Sequence, residues 1–198
     1  MTSPSISQLK LTLRSELRTQ RGDLSDDQLK LAALGLVEQY KKHLSKKSYK
    51  KIAIYLQHDN EIDTSELIKL LVVLGCELYL PKIARVSSNH SMEFCRYDTA
   101  ATLEKNRFGI KEPIIDDFID INELDLIFLP LTAFDGQGNR LGMGGGYYDR
   151  ALAKLTNTNT LLAGLAYDFQ RIPLCPKESF DQSLKIVLTA TSLIDFNR

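Results

Sequence analysis

Cysteine is scarce in this chain of 198 residues: Cys76, Cys95 and Cys175 are odd in number, widely spaced and without a CxxC pair. That spacing excludes a disulfide framework and a cysteine zinc site, and it suits a reducing compartment. Histidine is equally sparse. His43, His58 and His90 make no metal-ligand pair and are expected at the surface. Charge of one sign is missing too, because 25 basic and 25 acidic side chains cancel to a formal net charge of zero. No overall basic field argues for nucleic acid, so any basic site has to be local. The longest apolar stretch, around Leu70 to Leu74, is far too short to span a membrane. The N-terminus lacks the apolar core of a signal peptide. Its Ser and Arg content faintly resembles a transit peptide, but Glu16, Asp23, Asp26 and Asp27 soon follow. Repeats, low-complexity tracts and Pro- or Gly-rich linkers are also lacking. The expectation is one soluble cytoplasmic domain over residues 1–198, with no membrane or nucleic-acid partner. Such a chain buries roughly 70% of its unfolded surface and folds without disulfides or a structural metal.

What is present is an alternation of helix and strand signals. Ile6, Leu9, Leu13 and Leu17 recur at spacings of three and four, which predicts an amphipathic helix capped by Ser5 or Ser7 and closed by Gly22. Lys10, Arg14, Arg18 and Arg21 form a basic stripe beside the apolar one, and on a surface helix such a stripe is ordinarily solvated. Ser25 with Gln28 spells a capping box for a second helix ending near His43. Strands are expected at Ile52–Leu56, at Glu77–Leu80 (stopped by Pro81), at Met92–Cys95 on an edge, and at Leu126–Leu131, Leu161–Ala166 and Ile186–Thr189. A helix capped by Thr64 runs to Leu74, and Leu103 to Arg107 reads as another short one. Strands separated by helical segments predict a three-layer α/β/α fold with a mostly parallel central sheet. Ligands lie beyond the carboxyl ends of the strands in such sheets, so Glu61, Lys82, Tyr167–Gln170 and the Asp135–Gly146 loop should crowd one edge.

The segment Asp125–Leu152 organises the rest. An apolar strand feeds a loop containing Gly136, Gly138, Gly142, Gly144, Gly145 and Gly146, and a helix follows from Tyr147 to Leu155. Glycine permits positive φ and close approach of a ligand to the main chain. Free amides at the start of a helix attract anions, and Arg140 in the loop offers a fork of donors to phosphate. Asp149 stands where a divalent cation on those phosphates would need a ligand. Neither GxxxxGK[ST] nor GxGxxG is satisfied, since Tyr147 occupies the last position of the latter. Tight turns alone also collect glycines, so from these residues a phosphate loop and a plain turn both stand.

The run LPLTAFDGQGNRLGMGGGYYDR, Leu129 to Arg150, resembles the signature of the 5-formyltetrahydrofolate cyclo-ligase family, also called methenyltetrahydrofolate synthetases. Lys10–Arg14, Leu56, Glu61–Thr64, Leu80–Lys82, Phe108–Ile110, Glu112–Pro113, Gly164–Tyr167 with Gln170, and Pro176–Asp181 are similar to further blocks of that family, in order over nearly the whole chain. The resemblance implies the NagB/RpiA/CoA-transferase-like fold and a monomer. It implies conversion of 5-formyltetrahydrofolate, a reduced folate, to 5,10-methenyltetrahydrofolate with ATP and Mg²⁺. Carried over by position, Lys10 and Arg14 would meet the ATP phosphates. Arg140, Leu141, Gly142, Met143, Gly144, Gly145, Gly146, Tyr147 and Tyr148 would form the ATP loop, with Arg140 and Tyr147 catalytic. Met143 to Tyr147 would also touch folate, Leu56 and Glu61 would hold the pterin, and Asp149 and Asp181 would hold the metal. Arg18 and Arg21 stay solvated in this scheme, and Asp135 caps the loop. Met143 and Gly145 replace basic residues of animal members, Leu131 replaces a frequent glycine, and Phe180 stands where many members carry His. Two other readings remain: a folate- or nucleotide-binding protein without turnover, and an isomerase or acyl transferase using Glu61 without ATP.

Overall fold

The computed structural model describes residues 4–83 and 91–196, so His90 lies outside the described residues. α1 (Ile6–Gly22) and α2 (Asp26–His43) each open with a reciprocal capping box, Ser5 with Gln8 and Ser25 with Gln28. Each box satisfies two backbone donors that a helix start leaves orphaned. β1 (Lys51–Ala53), α3 (Ser65–Val73) and β2 (Glu77–Ile83) follow. Thr64 does stand at the N-cap of α3, but its hydroxyl donates to the Tyr55 carbonyl (2.6 Å) while Asp63 accepts from the Ser65 amide (2.8 Å). Pro81 does not stop β2, which takes Lys82 into the strand instead of leaving it beyond the end. The Tyr79 carbonyl accepts from Ile54 on the β1 side, so two residues on Pro81 faces the same side, past the end of β1. The missing donor there has no ladder partner to disappoint.

β3 (Met92–Tyr97), β4 (Leu103–Lys105), β5 (Lys111–Pro113), β6 (Phe118–Ile119) and β7 (Leu126–Pro130) come next. The expected helix at Leu103–Arg107 is absent: β4 pairs antiparallel with β5. Asn106 decides this, because its side chain accepts from the Phe108 and Ile110 amides (2.9 and 3.1 Å) and draws the chain into a turn. β8 (Ala133–Phe134), β9 (Arg140–Leu141), α4 (Tyr147–Leu152), β10 (Leu161–Leu165), β11 (Ile186–Leu188) and β12 (Leu193–Asp195) complete the elements. α4 stops short of the expected Leu155.

The main sheet runs β12-β11-β10-β7-β1-β2-β3-β6. Its five middle strands are parallel, and β12, β3 and β6 are antiparallel additions. β3 is therefore not the edge, since β6 pairs outside it. Parallel strands buried on both faces read as continuous apolar runs, and β7 shows why. Leu126 and Phe128 pack with Leu36 and Tyr40 of α2 and Leu67 and Leu71 of α3, whereas Ile127 and Leu129 pack with Ala151 and Leu152 of α4. Each such fully buried side chain contributes about 1.5–3 kcal/mol.

Two consequences position the site. From β1 the chain moves to β2 on one side, and from β7 it moves to β10 and β11 on the other, which leaves a crevice at the carboxyl ends of β1 and β7. α1 closes that crevice with residues of both stripes, Lys10 and Arg21 from the cationic one and Leu17 from the apolar one. Its buried residues are Lys10, Leu17 and Arg21, while Ile6 and Leu9 are exposed.

Candidate active site

A cavity of about 610 Å³ lies in the crevice, within the usual size range of small-molecule sites. One wall carries Lys10 and Arg14 from α1, Arg140 from β9, the loop Gly142–Gly146, and Asp149 and Asp181. Leu56, His58 and Glu61 beyond β1, and Phe108 and Ile110 from the turn between β4 and β5, line the same cavity. Every residue given a site role through the resemblance lines this cavity, so chain positions as far apart as Lys10 and Asp181 meet in one place, whereas Lys82 and Tyr167–Gln170, expected at the same edge, are not in its lining.

The cationic wall is a network of buried pairs. Lys10 Nζ donates to Glu178 Oε2 (2.6 Å) and Asp181 Oδ2 (2.7 Å). Burial pulls the lysine pKa down, but the hydrogen bonds to Asp181 and Glu178 outweigh it and hold the ammonium above its ordinary value. Asp181 is the mirror case: burial alone would raise it, and the bonds from Lys10 and the Glu178 amide carry it below the ordinary carboxylate range. Arg14 Nε donates to the Gly142 carbonyl (2.8 Å), which ties α1 to the glycine loop. Arg140 is not a solvated loop residue. It lies on β9, buried, with Nη2 on Asp149 Oδ1 (2.6 Å) and Nη1 on the Gln182 carbonyl.

The loop is shaped by backbone conformation. Gly144 and Gly146 take φ of 101° and 65°, which side-chain-bearing residues rarely adopt. Gly146 is the N-cap of α4 without any side-chain cap. α4 is only six residues long, so its dipole adds little, and the anion-attracting charge here comes from Lys10, Arg14 and Arg140. Asp135 fixes the preceding turn from a fully buried position, accepting from the Gln137, Asn139 and Cys175 amides and from Asn139 Nδ2.

Glu61 is buried and lines the cavity. Burial pushes it from 4.5 to about 7, with the Arg21 guanidinium and the His58 amide (3.3 Å) acting in the opposite direction. Tyr148 lines the same cavity. Its ring lies against Phe94, its buried hydroxyl has no protein partner among the described residues, and burial with the Glu61 charge pushes its pKa up. Tyr147 turns toward the hairpin, where Arg107 Nη2 donates to its hydroxyl (2.7 Å) and Phe108 meets its ring edge-on at 5.8 Å.

Several participants were invisible to sequence reasoning. Arg21, expected in solvent, is the largest fully buried side chain, on Asp59 Oδ2 at 2.8 Å; Arg18 does stay exposed, on the same carboxylate. His58 is half-buried on the cavity wall, not a surface histidine. Glu178 and Phe180 surround Lys10, the latter with its ring 5.8 Å from the ammonium. The fourfold spacing of the basic stripe was the one available signal for Arg21, and spacing does not say which stripe turns inward.

A mostly parallel sheet with a cavity at its strand ends, lined by Lys10, Arg14 and Arg140 and by a glycine loop, defines an α/β enzyme fold. A sequence model of the 5-formyltetrahydrofolate cyclo-ligase family matches residues 6–190. The Haemophilus influenzae protein named 5-formyltetrahydrofolate cyclo-ligase is 36% identical over 91% of this chain and 97% of its own. The mouse protein of the same name is 30% identical over 95% and 97%. The solved structure of Aquifex aeolicus 5,10-methenyltetrahydrofolate synthetase superposes with a TM-score of 0.82 at 30% identity, covering 96% of this chain and 94% of that one. The chain belongs to the 5-formyltetrahydrofolate cyclo-ligase family and is a ligase of that kind.

Proposed function

We propose that the protein cyclises 5-formyltetrahydrofolate to 5,10-methenyltetrahydrofolate, using ATP and Mg²⁺ and releasing ADP and phosphate. The observation that carries this reading is that one cavity holds both halves of the apparatus. Lys10, Arg14, Arg140 and the glycine loop suit a triphosphate, and Leu56 with Glu61 suits a flat heterocycle bearing paired N–H donors.

The chemistry requires the formyl oxygen to leave. Transfer of the γ-phosphoryl group to that oxygen makes it a leaving group and the carbon electrophilic; N10 then attacks and gives up its proton, the carbon–oxygen bond breaks, and phosphate departs with that proton. The protein's part is to align the phosphoryl group with the oxygen and to balance the charge that develops. In this reading Arg140 and Lys10 take phosphate oxygens, Gly142–Gly146 let the nucleotide approach the main chain, Tyr147 borders both ligands, and Glu61 accepts from the pterin edge. Asp149 and Asp181 are hard oxygen donors beside the phosphate cations, and magnesium is ordinarily held by one or two carboxylates together with phosphate oxygens. When bound, the ion would neutralise phosphate charge. Both carboxylates are engaged by Arg140 and Lys10, so those cations would hand over their partners as nucleotide enters.

The test is the absorbance of the methenyl product with purified protein, 5-formyltetrahydrofolate and Mg²⁺, with and without ATP. Product only with ATP, matched by ADP, is expected. Saturable folate binding without product would favour a binding protein, and product without ATP would refute phosphoryl activation.

A further inference from the structure

The C-terminal turn of α1 reaches under the cavity floor to the segment that carries Glu61. Arg21 is completely buried, yet among the described residues its Nε and Nη1 have no hydrogen-bond partner. Only Nη2 is engaged, with Asp59 Oδ2 at 2.8 Å and Met143 Sδ at 3.8 Å. A buried donor left unmatched costs about 1–3 kcal/mol, so a guanidinium with two unmatched nitrogens is poorly explained by packing. The turn it touches is strained as well. Asp59 and Asn60 adopt φ of 51° and 52°, a conformation costly for residues with side chains. Three contacts hold it: Arg18 Nε and Arg21 Nη2 on Asp59, and Asn60 Nδ2 on the Arg21 carbonyl at 3.4 Å. The next residue is Glu61.

We propose that Arg21 is a positioning residue for substrate binding: it pins the Asp59–Asn60 turn and supplies the positive charge that keeps the Glu61 carboxylate ready to accept from its ligand. This rests on Glu61 being the folate contact. The groups facing Glu61 are Arg21 from α1, His58 and Asp59 from its own turn, Tyr55 beyond β1, Tyr148 from α4, and Tyr167 beyond β10, whose hydroxyl donates to the Glu61 carbonyl at 3.3 Å. The three tyrosines are pushed up by burial and stay neutral. Arg21 and Asp59 are thus the opposing charges, the first favouring the carboxylate and the second disfavouring it. With the carboxyl poised at about 7, small changes in either charge alter how much of the binding form exists at neutral pH.

Calorimetric affinities for 5-formyltetrahydrofolate, measured from about pH 5.5 to 9 on the whole chain, test this. Wild type should bind more tightly as pH rises through about 7. In Arg21→Gln, which removes the charge, the rise should move to higher pH, weakening binding near pH 6.5 about tenfold for each pH unit moved. It should recover at the alkaline end, whereas Arg21→Lys should keep the wild-type profile. Asp59→Asn should move the rise the other way, with urea midpoints checking that the variant stays folded, since Asp59 is the partner of the buried Arg21. Nucleotide affinity should be the same in all. A uniform loss at every pH in Arg21→Gln, or an unmoved rise in both Arg21→Gln and Asp59→Asn, would overturn the proposal. Glu61→Gln should abolish the rise. If it does not, Glu61 is not the titrating folate contact, and the proposal falls with that assignment and not through Arg21.

Discussion

Replacing Glu61 with Gln should make the unliganded protein more stable at neutral and alkaline pH while impairing its site. The carboxyl is buried and lifted from 4.5 to about 7. A carboxyl raised in this way binds its proton more tightly in the folded than in the unfolded chain. Folding is therefore favoured below 4.5, and that advantage drains away as pH rises to about 7. Above that the folded state bears the whole burden of a buried charge. At roughly 1.36 kcal/mol per pH unit, the difference corresponds to about 3 kcal/mol as an upper bound. Asp135 and Asp181 do not blur the window, because both are shifted downward from 3.8 and titrate below it. Urea unfolding of both proteins at about pH 5 and pH 8 gives the comparison. Wild type should lose between 1 and 3 kcal/mol relative to Glu61→Gln across that interval, in the order of magnitude the shift permits. Parallel behaviour at both pH values would refute the reasoning, because it would mean that the carboxyl is already ionised or solvated in the folded protein. The same substitution should weaken folate binding more than nucleotide binding, as expected where a residue kept for its ligand opposes stability.

Two further outcomes test other parts of the argument. Arg140→Ala should raise the ATP requirement sharply, and it should also lower stability by about 2–3 kcal/mol, because a buried partner is taken from Asp149; ATP titration and urea midpoints check both, and unchanged ATP kinetics would remove Arg140 from the site. Gly35→Ala should cost about 1–3 kcal/mol, since the added methyl would stand 2.5 Å from the Ala190 carbonyl oxygen, where backbone and not a flexible side chain must move. Its nucleotide affinity should be unaltered, and an unchanged urea midpoint would contradict the tight seating of α2 on the strand ends.

The legibility of the chain followed the range of the interaction involved. The capping box at Ser25 is a contact over three residues, so it stands in the sequence as it stands in the fold, and the cap of α1 was narrowed to Ser5 or Ser7 for the same reason. The apolar strand at Leu126–Pro130 was legible because burial on both faces leaves an unbroken run. Leu103–Arg107 misled because helical spacing over so few residues is outweighed by one Asn turn and a pairing with β5. Pro81 misled because a missing donor stops a strand only where a neighbour needs it, and the end of β1 is a property of the sheet.

By itself, then, the sequence determined the alternation of helices and parallel strands and the glycine loop, which follow from local spacing; the set of cations and carboxylates that meet at the cavity was named through the family resemblance. The tertiary structure alone decided which residues of α1 face inward, since rotation of a helix depends on what it packs against. It also decided that Arg21 is buried beneath Glu61 and not in water. A charge acquires such a role only from the low dielectric and the neighbours that folding brings to it, and neither is written at its own position in the chain.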